Sequence, residues 1–223
     1  MERTTGVDGM IIKIFVEGKS DKKAMEELLA PLISEKNNLG IGINFYPAKT
    51  GDAKKFLLLT VPKLAVDIIC NQPDVIVAVM PDLYPKNKGF PHETFAELER
   101  GIMERFSRAL ETKGLADDSR LRERFKVFCF QHDLEVLILA AEEQLKEYLG
   151  VDSFKISWQI PVEEQNHDLP PKRIVERLFE SCGKKYQEST DAPLILGSAN
   201  YQQISDRCPQ SFKPFIDFME SLL

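Results

Sequence analysis

The 223-residue chain lacks several features that mark particular classes of protein. No apolar run is long enough to cross a bilayer, so no membrane span is expected. Met1 to Met10 is polar and carries no signal-peptide pattern, which predicts a cytoplasmic protein. The four cysteines, Cys70, Cys129, Cys182 and Cys208, are scattered without CxxC spacing. That excludes the usual zinc and disulfide frames and predicts reduced thiols, with Cys70 and Cys129 in the core. Excess positive charge is also missing: the formal net charge is −6. A protein that grips nucleic acid by bulk electrostatics is therefore disfavoured, although metal ions and a local basic patch can offset a global deficit. Tight nucleic-acid binding would need help from a partner. There is no internal repeat, low-complexity tract or obvious linker.

What is present suffices for a sizeable core. Hydrophobic residues make up 43% of the chain, an ordinary globular share. The length predicts one large domain, or one domain with an appendage. The pattern reads as strand Met10 to Val16, helix Asp21 to Leu32 with Ser20 as N-cap, strand Ile41 to Tyr46, and helix Gly51 to Ile69. Strand Val75 to Met80 follows, then helix His92 to Lys113 ending at Gly114, strand Arg124 to Gln131 and helix Asp133 to Leu149. Such alternation predicts an α/β fold with a mostly parallel sheet and helices on both faces. The pattern changes after Gly150. A loop from Trp158 to Pro171 precedes helices at Lys172 to Tyr186, Asn200 to Asp206 and Gln210 to Leu223. The expected division is an α/β domain over 1–150 and a helical extension over 151–223, packed on the same domain.

Four segments concentrate chemistry. The first strand runs into Glu17-Gly18-Lys19-Ser20-Asp21. Gly18-Lys19-Ser20 imitates the end of a phosphate-binding loop, but the upstream Gly of that motif is Lys13 here, and the nucleotide-loop reading is rejected. Glu17 is left on the rim of a sheet, where open α/β folds place ligands. A simpler role is a rim carboxylate that caps the next helix. The strand Val75 to Met80 ends in Pro81-Asp82-Leu83-Tyr84, a common turn pair that can also present Asp82 rigidly. If the two strands are parallel neighbours, Glu17 and Asp82 meet, and two close carboxylates repel unless a cation or proton lies between them. A divalent metal site is the sharp expectation. Third, His132, Asp133 and Glu135 approach the same rim, as ligands, as a base, or simply as acids favoured at a helix N-terminus. Fourth, Asn166 precedes Pro170-Pro171-Lys172-Arg173. Cations in the first turn of a helix oppose its dipole; a bound phosphate would remove the conflict, as would pairing with Glu163 or Glu164.

These motifs together resemble the TOPRIM-like superfamily, the catalytic module of topoisomerases, primases and OLD-type nucleases. The resemblance rests on Glu17-Gly18 with Ser20-Asp21, on Asp82-Leu83-Tyr84-Pro85, on His132-Asp133-Leu134-Glu135, on Pro170-Pro171-Lys172-Arg173-Ile174 preceded by Asn166, and on Arg207-Cys208-Pro209. It reaches from Glu17 to Phe218. More narrowly, it looks like a prokaryotic group of TOPRIM-like proteins encoded beside ATPases and associated with defence against foreign DNA. Two departures stand out. Tyr84 occupies the second position of an Asp-x-Asp pair, and Pro171 stands where a Ser is expected.

The resemblance implies a TOPRIM-like sheet and a metal-dependent nuclease with an AAA- or ABC-type ATPase partner, and leaves a homo-oligomer open. Glu17, Asp82, Asp133 and Glu135 would hold Mg2+ or Mn2+, with Glu17 as ligand or base and His132, Asp21 or Tyr84 in support. Lys172, Arg173 and Asn166 would hold the scissile phosphate. Two other functions are compatible. One is a non-catalytic module that binds an ATPase or nucleic acid, which Tyr84 and the acidic charge favour. The other is a phosphatase or nucleotide hydrolase using the same rim.

Overall fold

The apolar strands form the centre of a four-stranded, all-parallel sheet in the order β2-β1-β3-β4. The computed structural model describes residues 9–49, 51–165 and 168–223. Strands β1 (Ile11–Val16) and β3 (Val75–Met80) are the inner pair, flanked by β2 (Gly42–Pro47) and β4 (Phe125–Val127). Alternation along a strand sends successive side chains to opposite faces. Ile12, Ile14 and Val16 of β1, with Ala78 and Met80 of β3, enter one buried cluster; Phe15, Val75, Val77 and Val79 enter the other. Burial on both faces explains why β1 and β3 read as near-continuous apolar runs.

Helices cover each face. On the Phe15 side lie α3 (Ala53–Leu59), α4 (Val61–Asn71) and α5 (Phe95–Thr112), with the short α6 (Ser119–Glu123) before β4. The Ile14 side is packed by α1 (Lys19–Leu28), α2 (Ala30–Asn38), α7 (Glu135–Ala140) and α8 (Glu142–Leu149). Residues of α9 (Pro171–Ser181), α10 (Glu188–Gly197), α11 (Tyr201–Arg207) and α12 (Phe212–Ser221) join that same cluster.

The expected elements are present, with corrections. Three expected helices are each broken in two. Pro31 and Pro62 explain two breaks, because neither can donate a helical hydrogen bond. The third break falls at Ala141, beside the Ala140 carbonyl that Arg207 Nη1 engages at 2.6 Å. Ser20 is not the N-cap. The first helix starts at Lys19, and Asp21 Oδ2 accepts from the Gly18 amide at 2.7 Å. The fourth strand is regular over Phe125–Val127 only, then continues as an isolated bridge between Asp82 and Phe130. The helix expected from His92 begins at Phe95, capped by Thr94 with Glu97 reaching back. Two helices, α6 and α10, fall where none was expected. Cys129 is buried as expected, but Cys70 is exposed. Among the described residues no helix is long and apolar enough to cross a membrane.

Candidate functional site

Parallel pairing of β1 with β3 puts Val16 level with Met80, so both strands deliver their next residues to one edge. The backbone amide of Asp82 donates to Glu17 Oε1 at 3.1 Å across 65 residues of sequence. The bridge from Asp82 to Phe130 brings the following segment, with Asp133 and Glu135, to that edge. Asp21 joins from the first turn of α1. The like charges acting on Asp82 are those of Glu17, Asp21, Asp133 and Glu135. The residues that carried the metal expectation therefore lie near enough for their charges to act on Asp82.

Two lysines face this acidic row. Lys54, on α3, is almost fully buried; its Nζ donates to the carbonyls of Leu83 at 2.9 Å and Pro85 at 2.7 Å. It thereby fixes the turn that carries Asp82. Lys172, in the first turn of α9, lies 3.6 Å from Glu135 Oε1 and forms an ion pair with Glu188. Its amide donates to Asp133 Oδ2 at 3.3 Å. Ser20 Oγ donates to Glu188 Oε1 at 2.5 Å, and Tyr186 donates its hydroxyl to Glu135 Oε1 at 3.2 Å.

Burial and mutual repulsion hold the acids in favour of their protons. Burial lifts Glu17 to about 7, with Asp21 adding and Lys54 and the Asp82 amide opposing. Burial, then Asp133, lifts Glu135 to about 8. Asp133 stands at about 6, again from burial, moderated by Lys172. Asp82 is pushed well up by burial and by its four acidic neighbours, and Asp21 is raised chiefly by burial. Two oxygens, Asp82 Oδ1 and Asp133 Oδ1, are sealed from solvent and have no hydrogen-bond partner of good geometry among the described residues. A buried acceptor in that state is costly unless it carries a proton or faces a cation.

Carboxylate oxygens are the donor type that a hard divalent cation such as magnesium or manganese takes. The arrangement is an open row. Among the described residues no group of three or more His, Cys, Asp or Glu side chains is already gathered to hold a metal ion.

The remaining expected residues are placed differently. His132 is buried, with Nε2 2.5 Å from the Gln165 carbonyl, which ties the ring to the loop before α9. The Tyr84 side chain is exposed, while its amide donates to the His132 carbonyl. Arg173 is exposed and pairs with Glu176, so it is not brought to the acids. Asn166 lies outside the described residues. Glu163 does not pair with Lys172; it accepts from the Ser211 amide and hydroxyl and from the Gln210 amide. Lys54, Tyr186 and Glu188 were not foreseen. Lys54 sits among ordinary helical lysines, and Glu188 opens a helix that Pro193 disguises.

Stability should fall as pH rises. Unfolded carboxylates release their protons at about pH 4, whereas Glu17 and Glu135 hold theirs to about 7 and 8 when folded. The folded state therefore binds more protons between those limits, and raising the pH favours unfolding. His92 and Lys54, whose pKa values burial lowers from 6.5 and 10.5, act in the opposite sense below those values; between about pH 6.5 and 8.5 the raised carboxylates outnumber the one lysine, and that is the decisive window. Thermal melts in chelator are expected to show Tm falling across this window and recovering on addition of Mn2+. A flat or rising profile would contradict the crowded-acid description.

An α/β sheet with an acidic row on its C-terminal edge defines the class. Residues 16–220 match the family model described as a domain of unknown function, DUF4276, and the chain belongs to that family. No curated protein matches significantly. Among solved structures, the C-terminal region of the Burkholderia pseudomallei OLD protein aligns at 17% identity over 94% of this chain and 96% of that one, with a TM-score of 0.45. The C-terminal region of the Xanthomonas campestris pv. campestris OLD protein aligns at 14% identity over 94% and 95%, with a TM-score of 0.43. Likeness at this level bears no functional weight.

Proposed function

We propose that this protein is a divalent-metal-dependent phosphodiester hydrolase, a TOPRIM-like nuclease of the cytoplasm acting on nucleic acid with a partner ATPase in defence against foreign DNA. The observation that supports it is the delivery of Glu17, Asp21, Asp82, Asp133 and Glu135 towards one sheet edge, near enough for the other four charges to act on Asp82, with two carboxylate oxygens buried and unpartnered among the described residues. The ATPase and the defence role rest on the motif resemblance.

Glu17, Asp82, Asp133 and Glu135 would hold Mg2+ or Mn2+, with Asp21 in support. The bound ion would polarise a phosphoryl oxygen and make water more acidic. Glu17, with a pKa of about 7, can accept a proton from an attacking water near neutral pH. Lys172 offsets charge developing on the phosphate, and the buried Lys54 keeps the Asp82 turn in place. Arg173, exposed in the first turn of α9, and Asn166, which precedes that helix in sequence, are assigned to steering the incoming phosphate.

A second reading is a non-catalytic module that binds an ATPase or nucleic acid. Tyr84 in place of a second acid favours it, as does the open arrangement of the carboxylates. Calorimetric titration with Mn2+ separates the two. The nuclease reading expects saturable binding below millimolar concentration, lost in Asp82→Asn. No saturable heat at millimolar metal would favour the binding module. A substrate panel of single- and double-stranded DNA, RNA and free nucleotides then separates a nuclease from a small-molecule phosphatase.

A further inference from the structure

Ser20 and Lys172 come from different helices, α1 and α9, and aim their donors at one carboxylate. Glu188 Oε1 accepts from Ser20 Oγ at 2.5 Å, and Oε2 pairs with Lys172 Nζ. Lys172 is thus already neutralised by a residue of the same chain. A phosphate arriving beside it would gain little from an ammonium whose charge is spent, and would meet the Glu188 carboxylate as well. Lys172 can serve a phosphate only if Glu188 leaves. The carboxylate is held ionised: burial pushes its pKa up, but the hydrogen bonds from Lys172 and Ser20 hold it below the ordinary range. It also adds negative charge beside Asp21 and Glu135. A hydroxyl and an ammonium converging on two oxygens of one anion make equally good partners for two oxygens of a phosphate.

We propose that Ser20 and Lys172 form a phosphate subsite at the edge of the acidic row, and that Glu188 is its resident anion, displaced when a phosphate group binds. The subsite selects phosphate over neutral ligands, and Glu188 makes the exchange competitive. The proposal rests on the nuclease reading only in taking that phosphate to belong to nucleic acid.

The test is calorimetric titration of the whole protein with inorganic phosphate in metal-free buffer. Glu188→Gln should bind phosphate at least about tenfold more tightly than the parent, a difference of about 1.4 kcal/mol. Lys172→Met, in either background, should abolish the binding, and adding Ser20→Ala to Glu188→Gln should weaken it several-fold. Equal or weaker binding by Glu188→Gln overturns the proposal. A measurement on the parent guards against a variant that fails to fold. Saturating phosphate should speed amide hydrogen exchange at the start of α10, where the Thr190 and Asp191 amides donate to the Gln187 carbonyl. Unchanged or slower exchange there also overturns it. The two readings fail separately. Phosphate binding as described, without metal-dependent cleavage, would remove the nuclease alone; cleavage by the parent, with no gain in Glu188→Gln, would remove the subsite alone.

Discussion

Glu17→Gln and Asp82→Asn are each expected to lower metal-dependent cleavage of nucleic acid by at least about a thousandfold, roughly 4 kcal/mol of barrier. Both should at the same time make the metal-free protein harder to melt at pH 8. The two effects have one cause. Each carboxylate is half-buried beside other carboxylates, and Asp82 feels the charge of four of them. Neutralising either one relieves a repulsion that the fold otherwise tolerates. The amide substitutes keep shape, and in Glu17→Gln the side-chain carbonyl oxygen can still accept from the Asp82 amide. In a chain of this size each kcal/mol corresponds to about 2–4 °C, so a rise in Tm of roughly 3 °C or more is expected in chelator. In saturating Mn2+ the order should reverse, because the parent gains more from the ion than the variant does. Undiminished cleavage by both variants would end the nuclease assignment. Lost cleavage with a lowered Tm would instead mean that these acids serve the fold.

The sheet was legible because its inner strands are buried on both faces. Val75 to Met80 had no polar residue to obscure it, and the positions of Glu17 and Asp82 at matching strand ends followed from the strands themselves. Helix breaks were less legible. Pro31 and Pro62 are visible in the sequence, yet helical periodicity runs through both, and the proline effect at i−4 decides the boundary. The Ala141 break was not legible at all, because the Arg207 contact at Ala140 comes from 67 residues away. The site divided in the same way. Its acids stand beside strand ends and helix starts, where local rules point. Its counter-charges do not. Lys54 looks like a solvated helical lysine until the fold turns it inward, and Glu188 lies in a segment whose polar start and internal Pro193 gave no helical signal. Lys172 was legible as a cation in an unfavourable place, but its partners were not: Glu135 and Glu188 reach it through tertiary packing alone.

Lys54→Met should be the most damaging single change at the site, costing about 3–5 kcal/mol, since it leaves two carbonyls without their charged donor and nearby carboxylates without a compensating charge, and lowering Tm on the order of 10 °C. Two terms oppose each other. Burial pulls the Lys54 pKa down, so an isolated ammonium would be better replaced by a methionine of similar length. Against this stand the carbonyls of Leu83 and Pro85, both left without their Nζ donor, and the charges of Glu17 and Asp82, left without a neighbouring cation. Three or four uncompensated groups outweigh one desolvated ammonium, so the net effect is destabilising. The electrostatic share can be separated from the hydrogen bonds. Near pH 5.5 Glu17 is largely protonated, so the deficit of Lys54→Met should shrink towards the hydrogen-bond part alone. Combining Lys54→Met with Asp82→Asn should cost less than the sum of the separate effects, because the second change removes a charge that the first left exposed. Melts of the four proteins at pH 5.5 and pH 8 complete the cycle. A Lys54→Met protein within about 2 °C of the parent at pH 8 would show that the acids carry their protons at that pH and need no internal cation.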